Sequence, residues 1–241
     1  MKQSKQWILA AGMILCVPVM AQQPTITPTA KELNKSFDAE STQWAERFEH
    51  EGRAIFDKRY DILDAMHLKP GMAVADIGAG SGLLARMVVQ RVGSTGTVYA
   101  VDIAKNMIDR IATQAAKDGI ANLKPILGDP HSPKLPANCC DLIYIVDSYH
   151  HFEYPSDMLS EIMKALRPDG VLMVIDFKRI EGVSKDYILK MVRAGEGTFT
   201  DEFQNAGFEV IERRGDMFPE NYLLRLKKRS TTAKAATAGT H

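Results

Sequence analysis

Residues 74–82 read VADIGAGSG, and the interpretation of the chain turns on this stretch. Before it, Met72 to Ile77 is a short apolar run. After it, Leu83 to Val92 carries Leu84, Met87, Val88 and Val92 on one helical face, and Gly93 ends that pattern. The segment is therefore a turn from strand to helix. In an open α/β sheet such a turn lies at the carboxyl edge, where ligands bind. Gly78, Gly80 and Gly82 permit a tight turn and close approach of a ligand to the backbone. The helix that follows offers unpaired N–H groups and a positive dipole end. The spacing departs from the GxGxxG of dinucleotide folds, and no GKS or GKT follows. Asp76, two residues before the first glycine, is awkward beside a pyrophosphate but suits an ammonium or a sulfonium.

Outward from this loop, strands and helices alternate. Thr97 to Val101, Leu123 to Leu127, Asp141 to Val146 and Val171 to Ile175 read as strands. Leu142-Ile143-Tyr144-Ile145-Val146 is apolar without a break, as expected of a strand buried on both faces. Helices are predicted around Met107, Ile111 and Ala115, around Met158, Ile162 and Leu166, from Ser184 through Val192, and from Thr198 to Ala206. Phe208 to Glu212 and Asn221 to Leu226 follow each other without a helix and so should pair antiparallel. Ser41 to Leu68 has helical periodicity through Trp44, Phe48, Ile55, Phe56, Tyr60 and Leu63. The pattern predicts one α/β domain, a parallel sheet covered on both faces with an added N-terminal helix.

Acidic residues follow two of these strands. Asp102 ends the second, where a carboxylate can accept hydrogen bonds from two ribose hydroxyls. Asp129, after the third, would reach an adenine amino group. With Asp76, Gly78, Gly80 and Gly82 they would line a crevice suited to an adenosyl amino acid. Taken singly, each glycine would also serve a plain turn and each acid a helix cap.

The ordered segments VADIGAGSG, VYAVDI, GDP, CDLIYIVDSYHHF and LRPDGVLMVIDF resemble the class I S-adenosylmethionine-dependent methyltransferases, in the flavour of the ubiquinone/menaquinone-biosynthesis enzymes. The likeness is densest from Pro70 to Phe177. It implies a Rossmann-like, doubly wound seven-stranded sheet in order 3-2-1-4-5-7-6 with the last strand antiparallel. It implies S-adenosyl-L-methionine as cofactor, with Asp76 and the glycines around its methionine part. It further implies Asp102 on the ribose, Ile103 against the adenine, Asp129 near the adenine edge and Asp147 at the methionyl end.

Methyl transfer is an in-line displacement, in which alignment and exclusion of water matter most. A base is needed only where the nucleophile loses a proton. The catalytic candidates after the fourth strand are Tyr149, His150 and His151, with either histidine able to act near neutral pH. A helix cap and a packing role would also account for the two histidines. The expected acceptor is a small molecule or a lipid-like one. A non-catalytic adenosyl-binding protein and a protein methyltransferase of the cell envelope are the rival readings. A nicotinamide-dependent oxidoreductase fits less well, given Asp76 and the glycine spacing.

Composition sets the remaining bounds. The 241 residues hold 30 basic and 30 acidic side chains, so no broad basic field exists to bind nucleic acid. Lys2 and Lys5, the uncharged stretch Trp7 to Val17 and Val19-Met20-Ala21 have the form of an export signal. The apolar stretch is shorter than the ~20 residues of a membrane span. The expected organisation is a signal over residues 1–21, a linker over 22–40, the enzyme domain over 41–229 and a disordered tail over 230–241, in an exported, periplasmic protein. Arg53 reads as part of a solvated helix face, and Arg193 and Arg225 as possible holds for an anionic substrate. Neighbouring Cys139 and Cys140 read as thiols, because adjacent Cα atoms suit a disulfide poorly. No metal-binding spacing is present.

Overall fold

Strand runs of four to six apolar residues cannot leave either face in water, so the helices between them must cover both. The computed structural model describes residues 29–35 and 41–230, and it has this layered form. The elements are α1 (Ala30–Asn34), α2 (Ser41–Phe48), α3 (Ala54–Asp57), α4 (Arg59–Ala65), β1 (Ala73–Ile77), α5 (Leu83–Val92), β2 (Thr97–Asp102), α6 (Lys105–Lys117) and β3 (Leu123–Leu127). There follow β4 (Cys140–Val146), a 3-10 turn (Tyr149–His151), α7 (Pro155–Ala165), β5 (Leu166–Phe177), α8 (Asp186–Met191), α9 (Glu196–Asn205), β6 (Phe208–Arg214) and β7 (Asn221–Lys228).

The seven strands form one sheet in the order β3-β2-β1-β4-β5-β7-β6. All pairs are parallel except those of β7, which runs antiparallel to β5 and to β6. Side chains alternate across the sheet, as a period of two requires. Leu142, Tyr144 and Val146 enter the core beneath α4 and α5, with Val74, Met173 and Leu223. Ile143 and Ile145 enter the opposite core, with Met158, Ile162, Phe199 and Phe203 from α7 and α9. Strand order reverses at β1, which lies between β2 and β4. A crevice therefore opens at the carboxyl ends of β1 and β4.

Three sequence expectations change. Leu166, expected in the helix before the fifth strand, opens β5 instead. The periodic stretch 41–68 forms three helices rather than one. Gly52 takes a φ of 89°, and α2 ends before it. That break turns Arg53 inward. Residues 29–35, expected within a linker, form a helical turn with Thr29 and Glu32 as a reciprocal capping box. Asn34 then anchors the turn by donating to the His151 carbonyl at 3.1 Å and to Glu153 at 3.1 Å. The expected signal (1–21) lies outside the described residues, as do 22–28 and 36–40 of the linker and 231–241 of the tail. Among the described residues no helix is long and apolar enough to cross a membrane.

Candidate active site

The crevice holds a cavity of about 610 Å³ along the carboxyl edge of the sheet. Its first end is built by the glycine loop. Gly78 and Ala79 donate to the Val101 carbonyl at 2.8 and 3.0 Å, which ties the loop to the end of β2. Gly80 N–H donates to Asp102 Oδ2 at 2.8 Å, and Ala104 N–H to Asp102 Oδ1 at 2.9 Å. Each carboxylate oxygen retains capacity for a further donor. Burial raises the Asp102 carboxyl above its ordinary range, and the amides of Ala104, Gly80 and Ile103 partly offset that. Ile103 presents an exposed apolar side chain on the same wall.

The glycines here are required. Gly78 has φ +79°, and a Cβ on it would sit 2.4 Å from Ser148 Oγ. At Gly80, φ is +53° and a Cβ would meet the Phe48 ring at 3.3 Å. Phe48 of α2 thus lies over the loop, and Glu49 fastens that cover by a pair with Arg86 of α5 at 3.0 Å. Trp44 and Phe48 line the cavity, whereas Phe56 and Tyr60 do not. Gly82 also stays off the wall. With φ +76° it starts α5, and a Cβ there would strike Ile111 of α6 at 2.8 Å. Its role is therefore in turning and packing.

Asp76 is buried beneath this loop. Burial pushes its carboxyl up to about 7; the nearby Tyr144 hydroxyl offsets this in part and the charge of Asp102 adds to it. Asp129 lines the cavity too, but its Oδ1 accepts from the amides of His131 and Ser132 at 2.9 Å each. Those amide bonds, the His131 one foremost, hold the carboxyl below its ordinary range.

The second end is made by residues distant in sequence. Asp147 follows β4 with φ +49°, a conformation L-residues seldom adopt and one that Asp tolerates better than most. Its Oδ2 pairs with Arg53 at 3.0 Å and its Oδ1 accepts from Asn221 at 2.6 Å. Burial raises this carboxyl to about 6 against the pull of Arg53, while the charge of Asp176 pushes it further up. His150 is buried, with Nδ1 at 2.8 Å from Asp176 Oδ1. His151 stands against it, ring centroids 4.1 Å apart. Burial pushes His151 down to about 3, so this ring is neutral at physiological pH. Phe152, Phe177, Lys185, Tyr187 and Met191 complete the wall.

Tyr149 does not belong to the cavity, contrary to the sequence expectation. A 3-10 turn carries three residues per revolution, so neighbouring side chains diverge widely. His150 and His151 reach the cavity wall. Tyr149 enters the core between Phe152, Phe199 and Phe203, and its hydroxyl donates to Glu202 at 2.7 Å. Arg193 is held by the same Glu202 through two 2.6 Å contacts. Arg225 donates to the Ala65 carbonyl, away from the site. Neither arginine faces the cavity.

Sequence reasoning missed Asp176, Arg53 and Asn221. Only Asp176 left a signal, as the one charged residue in the apolar run VLMVIDF. Among the described residues no group of three or more His, Cys, Asp or Glu gathers as a metal site.

Comparison with known proteins bears on the same region. Residues 75–174 match a family described as "Methyltransferase domain". A ubiquinone/menaquinone biosynthesis C-methyltransferase of Neisseria gonorrhoeae is 31% identical over 138 residues, covering 56% of this chain and 56% of that one. A nocamycin O-methyltransferase of Saccharothrix syringae is 33% identical over 109 residues, covering 45% of this chain and 39% of its own length. The chain thus spans about half or less of these relatives. A crystal structure of an S-adenosylmethionine-dependent methyltransferase from Aquifex aeolicus shares the fold, with a TM-score of 0.68 at 23% identity over 78% of this chain and 97% of that one.

Proposed function

We propose that the chain acts as a class I S-adenosylmethionine-dependent methyltransferase, as its methyltransferase domain and relatives support, and that it transfers the cofactor's methyl group to a small or lipid-like acceptor. The observation that carries the reading is the shared cavity, in which the glycine loop and Asp102 stand at one end and His150 and His151 at the other.

The residues at the first end fit an adenosyl amino acid. The backbone of Gly78 and Gly80 lies open where any Cβ would collide with Ser148 or crowd Phe48. Asp102, fixed by two amides, would accept the ribose hydroxyls, and Ile103 would lie against the adenine. Asp76, with its raised carboxyl, would hold the positively charged methionine part, and a cation beside it would draw its proton off. Asp147 lines the same cavity, and Arg53 and Asn221 fix its direction. Asp129 would meet the adenine edge through Oδ2, which the turn's amides leave free and which pairs with Lys134 at 3.3 Å. When bound, the cofactor supplies an electrophilic methyl on a cationic sulfur. The chain's part is to align the acceptor with that methyl and to keep water out, and Trp44 and Phe48 support the second task.

An exported location belongs to the same proposal, supported by Lys2, Lys5 and the apolar stretch that follows. Mass spectrometry of the mature chain tests it, with Gln22 as the expected first residue. The activity is tested first by calorimetry with S-adenosylmethionine, S-adenosylhomocysteine and NADH. Micromolar binding of the two adenosyl ligands alone is the expected result. Absence of adenosyl binding defeats the reading.

A further inference from the structure

We infer that His150, held by Asp176, takes a proton from the acceptor, and that the acceptor is a phenol-like hydroxyl on an apolar aromatic body. This inference rests on the methyl-transfer reading above.

Transfer to a thioether, a tertiary amine or any atom with an available lone pair needs no base. A chain serving those acceptors has no chemical use for a buried histidine–carboxylate pair on the cavity wall. Here such a pair exists. Asp176 is fully buried at the carboxyl end of β5. Its Oδ1 accepts from the Phe177 amide at 2.7 Å, and its Oδ2 from the His150 amide at 3.1 Å. With amide donors on both oxygens, the carboxylate acts as an acceptor toward the ring as well. The Nδ1 that lies 2.8 Å from Oδ1 must then carry the proton. The neutral ring is left with its lone pair on Nε2.

That Nε2 is buried and has no hydrogen-bond partner among the described residues. Buried polar atoms are nearly always paired, so an orphan on a cavity-lining ring points to a ligand that supplies the donor. His150 lines the cavity with Phe152, Phe177, Met158 and Met191, which suit a flat apolar body. The facing charged groups suit the proton's arrival. Asp176 touches the ring, and Asp147 is close enough to feel its charge, so an imidazolium would lie near two carboxyl groups. Two cations of the wall are already compensated, Arg53 by Asp147 and Lys185 by Glu220. Among hydroxyls, the phenol class lies closest to imidazole in acidity, where general-base catalysis works best.

The balance is simple. The acceptor O–H proton passes to Nε2, and the oxygen forms its new bond to the methyl carbon. The electron pair of the broken carbon–sulfur bond stays on sulfur, and the proton leaves His150 for water. His150 is thus the catalytic residue and Asp176 a positioning residue.

The test is long-range ¹H–¹⁵N spectroscopy of the full chain, labelled at histidine, with S-adenosylhomocysteine bound. Binding of that ligand checks the methyltransferase reading separately by calorimetry. The expected spectrum of His150 is a protonated Nδ1 and an unprotonated Nε2. Asp176→Asn should lose that preference and give mixed tautomers. A protonated Nε2 in the neutral wild-type ring overturns the inference, whether or not the variant folds. Titration of the same complex with 4-nitrophenol should move Nε2 to its protonated position while the yellow phenolate appears. Absence of either change, in a complex that binds the adenosyl ligand, overturns the assignment of the acceptor.

Discussion

The two ends of the cavity differ in how they are made. The proposed adenosyl end is local: Asp76, the glycine loop, Asp102 and Ala104 span fewer than thirty residues, and backbone amides do most of the holding. The proposed acceptor end is assembled from far apart. Arg53 reaches Asp147 across 94 residues, Asn221 reaches it across 74, and Asp176 reaches His150 across 26. A site of the first kind is set by one loop's conformation. A site of the second kind is set by sheet order and by charges that must find each other. The first should fail through geometry and the second through loss of a partner.

The sharpest test concerns Asp76, where the adenosyl end stores a proton. Its folded carboxyl lies at about 7, against an ordinary value of 3.8. The native state therefore binds more protons than the unfolded one between those values. Stability of the ligand-free protein should fall as pH rises from about 4 to 7, with an Asp76 contribution of about 4 kcal/mol. Asp147, raised to about 6, adds in the same direction. Urea unfolding across this window isolates the Asp76 part by comparison with Asp76→Asn, whose stability advantage should grow with pH. A constant difference between the two chains would remove the stored proton.

Gly78→Ala should come next. Left-handed backbone and contact with Ser148 together should cost roughly 2–5 kcal/mol, read by thermal or urea unfolding. Ser148→Gly in the same chain should recover part of it. Full tolerance of the single change would mean that the loop is not rigid. Asp102→Ala should then weaken S-adenosylhomocysteine binding by about 2–4 kcal/mol through two lost charge-assisted hydrogen bonds. Unchanged affinity in calorimetry would take Asp102 off the ribose. The smallest effect is expected at Tyr149→Phe. Loss of its bond to Glu202 should lower stability by about 1 kcal/mol and leave adenosyl binding intact. Lost binding instead would put Tyr149 back among the residues that serve the cavity.

The same contrast explains what the sequence revealed. Apolar runs such as LIYIV name their strands because burial on both faces leaves no alternation to read. The glycine loop names itself because tight turns demand glycine at fixed places. Arg53 was hidden because residues 41–68 look like one continuous helix, on which it would face water. The break at Gly52 reverses that. Tyr149 was misplaced because adjacency in sequence says nothing about direction within a 3-10 turn. Asp176 was visible as a lone acid in an apolar strand, but its partner could be named only once β4 and β5 lay side by side.

The Asp147 carboxyl is clasped by a residue 94 positions before it and another 74 positions after it. During synthesis the first partner exists before Asp147 is made, but the second comes only with the last strand. A nascent chain that has the glycine loop, β1 to β5 and both histidines still lacks the amide that completes this clasp. The acceptor end is thus finished last, and its completion marks the moment at which the beginning and the end of the domain have both been delivered.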